Sequence, residues 1–173
     1  MSNITFTNIV RFLVLYFLQV LVLRPFSIGW ESFFYVNAHI YPLFILLLPL
    51  KISKPALLML AFGMGLAVDL FYDSPGIHAS ALVFMAYARS LVLSYLEPRE
   101  GYNVNYSPTA KRFGRAWFFQ YASILIIAQL FFYHSVEEFT FVYIVDILLK
   151  TFFSYLFSII FIIMAMLLFN PTD

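Results

Sequence analysis

The stretch Gly63-Met64-Gly65-Leu66-Ala67-Val68-Asp69-Leu70-Phe71-Tyr72-Asp73-Ser74-Pro75-Gly76-Ile77-His78 sets two glycines and two carboxylates inside a chain that is otherwise apolar almost throughout. An Asp at the centre of a transmembrane helix costs about 2.5–3.5 kcal/mol on insertion scales, so such a residue faces a bundle interior, a wet cavity or a partner. The apolar residues around Asp69 make one span, 56–72. Asp73-Ser74-Pro75-Gly76 ends it, its Pro-Gly pair suiting the central positions of a type II turn, and Ile77 opens the next span. The stretch predicts a tight hairpin of two membrane helices, with Asp69 about 6 Å inside its turn end at 1.5 Å rise per residue.

The remaining chain extends this pattern. Of its 173 residues 63% are hydrophobic and 11% charged, against roughly 45–50% and about 25% in a soluble domain. Apolar runs at 9–24, 33–50, 56–72, 77–96, 113–133 and 139–169 predict an all-α bundle of six transmembrane helices, a single membrane domain over 1–173 with one long polar loop, 97–112. The first run lacks a small-x-small cleavage site and reads as a retained helix. Asn37, His39, Pro42 and Pro49 make the second a kinked or broken helix. The last is longer than a bilayer needs, which predicts tilt or projection. With 22 Phe and 12 Tyr, bulky rings facing acyl chains are expected. The absence of Cys excludes disulfides and thiolate chemistry, and a net charge of +1 gives no sign of nucleic acid.

Orientation follows from the cations, because Lys and Arg in short loops stay on the cytoplasmic side. Six spans place Lys51, Lys54, Arg99, Lys111, Arg112 and Arg115 on one side and only Arg24 in the loops of the other. Both termini are therefore expected in the cytoplasm. The outer links are then 26–32, 73–76 and the acidic 135–138.

Depth separates the remaining ionisable residues. Asp146 and Lys150 stand four apart on one helical face, the spacing of an intrahelical ion pair. Both lie at depths where Asp69 could meet them. Arg89 has two readings, a stem that snorkels to the inner interface or an inward bond to another helix. Ala61 with Gly65, and Gly63 with Ala67, are small pairs four apart that let helices approach closely.

Catalytic patterns are sparse. Gly65-x-x-x-Asp69-x-x-x-Asp73 matches the tail of the metal-binding pattern of CDP-alcohol phosphatidyltransferases, but the preceding Asp-x-x-Asp-Gly-x-x-Ala-Arg half is missing, and two carboxylates make a poor hard-cation site. His39, His78 and His134 are scattered singly, without zinc-site spacing. No Gly-x-Ser-x-Gly turn occurs. The reading is of no catalytic residue and no metal site.

Gly65-x-x-x-Asp69-Leu-Phe, then Gly76-Ile-His78-Ala79 and Tyr87-x-Arg89, together resemble the rod shape-determining protein MreD family. Gln19-Val-Leu-Val-Leu, the Pro42 and Pro49 span, and Pro98-Arg99-Glu100-Gly101-Tyr102 leading to Phe113-Gly114-x-x-Trp117-Phe118 are similar to its Bacteroidota forms, over nearly the whole chain. The resemblance implies a bundle similar to the substrate-binding subunits of energy-coupling-factor transporters, in the bacterial inner membrane, and from that likeness follows an alternative, an outward cavity near Asp69, Asp146 and Lys150 holding a small ligand such as a vitamin or a lipid headgroup. It implies a non-enzymatic scaffold, without cofactor, of the cell-wall elongation complex, bound to MreC and through the complex to MreB filaments and the peptidoglycan polymerase and transpeptidase. In that frame Gly65, Asp69, Gly76, His78 and Arg89 form a polar core that shapes a partner surface. Lys111, Arg112 and Arg115 then serve orientation and anionic lipid, or touch the filament.

Overall fold

The computed structural model describes residues 2–25, 36–99, 101–103 and 106–169. Among them there is no strand, and five helices are long and apolar enough to cross a membrane. α1 (Ser2–Phe17) continues through a π-helical turn (Leu18–Leu23), and α2 is the short Leu43–Leu47. α3 (Lys54–Tyr72) and α4 (Ile77–Tyr95) form the hairpin. The one-turn α5 (Ala110–Phe113) leads into α6 (Arg115–Glu138), and a 3-10 turn (Phe141–Tyr143) into α7 (Ile144–Phe169). The expected link 26–32 lies outside the described residues, and Glu137-Glu138 belong to the end of α6 rather than to a loop.

The bundle has two distinguishable ends. At the hairpin end Arg24 pairs with Asp73 at 3.6 Å. At the loop end the Leu50 amide donates to the Tyr106 carbonyl at 3.1 Å, the Trp117 indole donates to the Leu96 carbonyl at 3.0 Å, and Met166 lies in one groove with Ala110 and Lys111. Large apolar side chains such as Met59, Leu70, Leu91 and Phe152 point outward from the long helices and are more than half exposed, as a lipid-facing surface requires.

The second apolar run, 33–50, is broken, as its prolines predict. Among its described residues it is helical only over Leu43–Leu47, and the cause is its two prolines. Pro42 has no N–H and stands at the start of α2, while Pro49 drives the preceding Leu48 to an extended φ −62°, ψ 144°. The segment nevertheless runs from the hairpin end to the loop end, and every residue from Ala38 to Leu48 is buried. Non-helical backbone at such depth is tolerated only where protein satisfies it.

Neighbouring helices supply the partners. The Ile40 amide donates to Gln19 Oε1 at 2.9 Å, and Gln19 Nε2 donates to the Ala38 carbonyl at 3.1 Å. The amides of Asn37 and His39 donate to the hydroxyls of Ser154 (3.1 Å) and Ser158 (2.8 Å), four apart on α7. At the far end the Arg89 guanidinium donates to the Leu48 carbonyl, and the Tyr121 hydroxyl donates to that of Leu46 at 3.3 Å. The π turn contributes to the fit. Its Arg24 amide bonds to the Gln19 carbonyl five residues back, a widened turn that keeps Gln19 wholly buried against the segment.

Replacing Arg89 by Met keeps the stem and removes the donors, leaving buried acceptors unmet at about 1–3 kcal/mol. For Arg89→Met in detergent the apparent Tm is expected to fall by roughly 5 °C, while Tyr87→Phe on the exposed face leaves it unchanged. Equal melting of the two variants would show that Arg89 does not hold the segment.

Candidate functional site

Asp69 is buried at 3% exposure, and its partners explain why a carboxylate stands there. α4 starts at Gly76 (φ +88°) with no capping side chain of its own, so its first amides need an acceptor from elsewhere. Asp69, one turn before the end of α3, supplies it. Its Oδ1 accepts from the His78 amide and its Oδ2 from the Ala79 amide, both at 2.9 Å. Oδ1 also accepts from the Ser74 hydroxyl and from His78 Nδ1–H, each at 3.0 Å. The carboxylate caps α4 across the hairpin, where negative charge is further favoured by the helix dipole.

Gly65 makes the approach possible. A Cβ there would stand 2.4 Å from Ala79 Cα, 2.7 Å from its amide nitrogen and 2.8 Å from the His78 carbonyl oxygen, so α3 and α4 touch backbone to backbone one turn below Asp69. Ala61, four residues back, is wholly buried on the same face. The other expected pair is corrected. Gly63 is exposed with nothing near its Cβ position, because that face of α3 looks away from α4.

Around the hairpin end the buried polar side chains converge. The His78 ring lies 4.7 Å from that of Tyr72, 4.8 Å from Tyr133, 5.6 Å from His39 and 5.8 Å from Tyr41, centre to centre. Gln129 Nε2 donates to the Tyr41 hydroxyl at 3.0 Å and lies 3.3 Å from His39 Nδ1. His134 links Glu137, 3.0 Å from its Nδ1, to Ser154, 3.4 Å from its Nε2. Asp69 holds His78 in the Nδ1–H form, and its buried Nε2, like that of His39, has no hydrogen-bond partner among the described residues. An Asp–His pair of this kind could accept a proton at Nε2, but among the described residues no hydroxyl is bonded there to be activated.

The other expected site residues separate. Asp73 takes a left-handed φ of +52° at the end of α3 and turns outward, its side chain 90% exposed, so the two carboxylates of the phosphatidyltransferase-like pattern do not face one site. The expected Asp146–Lys150 pair is not made. Lys150 bonds instead to Glu138 at the end of α6, and Asp146 is exposed in the first turn of α7, where a carboxylate suits the helix N-terminus. Asp69 lies buried beneath the hairpin turn, whereas Asp146 is exposed. Of the two readings of Arg89 the inward one holds. It is 2% exposed, with Nε donating to the Tyr121 hydroxyl at 2.9 Å. At the loop end Arg112 stacks 3.7 Å over the Tyr106 ring, while Lys111 and Arg115 are exposed.

Gln19, Gln129, Tyr121, Tyr133, Ser154 and Ser158 belong to this polar interior and were not expected from the sequence. The available signal was Gln19 in the first apolar run, Gln129 beside Gln120 in the fifth, and a serine pair at i, i+4 in the last. Among the described residues no group of three His, Asp or Glu side chains converges as a metal site would need. No protein-family model, curated protein or solved structure matches the chain.

Gly65→Ala is expected to cost about 1–3 kcal/mol or more, since the added methyl meets backbone, whereas Gly63→Ala is neutral or slightly stabilising through helix propensity. Thermal melting of the two variants in one detergent checks this order.

Proposed function

We propose that the chain is a non-enzymatic membrane scaffold of the bacterial cell-wall elongation complex, a member of the MreD family that docks MreC and so helps couple MreB filaments to peptidoglycan synthesis. The observation that carries the reading is the use made of Asp69, the most chemically suggestive residue of the chain: both oxygens are committed to the first turn of α4. A carboxylate so engaged shapes a hairpin and is poorly available for turnover. Arg89 is likewise spent on Leu48 and Tyr121. The ordered set of MreD-like motifs along the sequence supports the same reading.

In this reading the protein crosses the inner membrane six times, the second crossing being the broken segment, with the loop end in the cytoplasm. The clustering of Lys51, Lys54, Arg99, Lys111, Arg112 and Arg115 at that end, with Arg24 opposite, supports the orientation. Asp69, Gly65 and His78 are buried and act on a partner only through the shape of the α3–α4 hairpin; MreC itself meets lipid-facing side chains.

Two measurements test this. Co-expressed with MreC of the same genome, the tagged protein is expected to copurify with it in either direction, and failure of both pull-downs after crosslinking in the membrane overturns the assignment. Because the chain has no Cys, single cysteines report topology cleanly. Pro75→Cys should react with an impermeant maleimide in intact cells and Glu97→Cys only after permeabilisation; the reverse pattern overturns the orientation.

A further inference from the structure

Between α6 and α7 at the loop end lies an open groove of about 520 Å³, within the roughly 300–1,000 Å³ range of ligand-holding cavities. Its walls change character along its length. At the mouth stand Lys111 and Arg115, both exposed and unpaired with any carboxylate among the described residues. Beyond them the lining is apolar, with Phe118 and Ala122 from α6 and Ile159 and Ile163 from α7. A hydrogen bond from the Tyr155 hydroxyl to Ser123, at 2.8 Å, joins the two helices beyond Ala122 and Ile159. From Arg115 to Ala122 the groove follows α6 for about 10 Å at 1.5 Å per residue.

α6 also begins here, at Gly114 (φ +93°), with no side-chain cap on its first turn. Its N-terminus and the two cations present positive charge to one point at the groove mouth. A headgroup with one negative phosphate fits that point, and an acyl chain fits the dry channel behind it. A zwitterionic lipid brings the same phosphate and chain, but its ammonium group is repelled by the two cations, and an uncharged partner helix offers them no counter-charge.

We propose that this groove binds one anionic glycerophospholipid, its phosphate at Lys111, Arg115 and the start of α6 and one acyl chain laid between α6 and α7. The site is distinct from the polar interior at the hairpin end, and the inference does not depend on the scaffold function.

Native mass spectrometry of the full chain in nonionic detergent tests it, with phosphatidylglycerol and phosphatidylcholine of identical chains as probes. One phosphatidylglycerol per monomer is expected, retained about thirtyfold more strongly than phosphatidylcholine, as two surface cations contribute. Lys111→Gln with Arg115→Gln should abolish that preference; both side chains are exposed, and melting is expected to be unchanged. Ile163→Trp keeps the cations and fills the channel, and should lose the adduct. Equal retention of the two lipids by the wild type overturns the proposal, as does a preference that survives either variant, or a dimer in place of the lipid-bound monomer.

Discussion

The interior of this bundle is organised by one uncommon demand: a stretch of backbone, residues 38–48, that is fully buried and mostly not helical. Each unmet amide or carbonyl there would cost on the order of 1–3 kcal/mol. The surrounding helices therefore carry polar side chains inward at matching heights, with Gln19 from the π turn that continues α1, Arg89 from α4, Tyr121 from α6 and Ser154 and Ser158 from α7. Four separate helices are thus tied to one thread. In lipid, where apolar contact gives no preference for helix over acyl chain, such bonds and close packing position helices.

The α3–α4 hairpin solves a second problem of the same kind. Gly76 starts α4 without a capping side chain, and Asp69 reaches across to the amides of His78 and Ala79. That reach requires the helices to be nearly in contact, and only a glycine at 65 allows it. Glycine and aspartate in this motif are therefore two halves of one device. His78, fixed by Asp69, then anchors the ring cluster of Tyr72, Tyr133, His39 and Tyr41, which links the hairpin to α6 and to the start of the buried thread.

A protein built this way has its polar chemistry turned inward and its broad apolar faces outward, which accords with a body that holds neighbours in the bilayer. The loop end differs. There α6 and α7 part over an open groove with cations at its mouth. The two ends of the molecule thus carry different physics: a hydrogen-bonded hairpin end and an electropositive, partly open loop end.

The sequence by itself determined the membrane class, the α3–α4 hairpin with its turn, and the interruption of the second apolar run. These rest on local causes: apolar run length, the Pro-Gly turn, and prolines that remove donors and restrict their neighbours. It also singled out Asp69, because a carboxylate in apolar surroundings must have a partner. Who that partner is was decided only by the tertiary structure, since amides of α4, a glutamate across the 3-10 turn for Lys150, and the carbonyl of Leu48 for Arg89 are selected by proximity in three dimensions. The i, i+4 spacing of Asp146 and Lys150 permitted a pair, but Lys150 found Glu138 closer. The inward Gln19, Ser154 and Ser158 were visible as isolated polar letters whose purpose needed the broken strand of backbone beside them, because hydrogen bonds are satisfied by whatever folding brings within 3 Å or so.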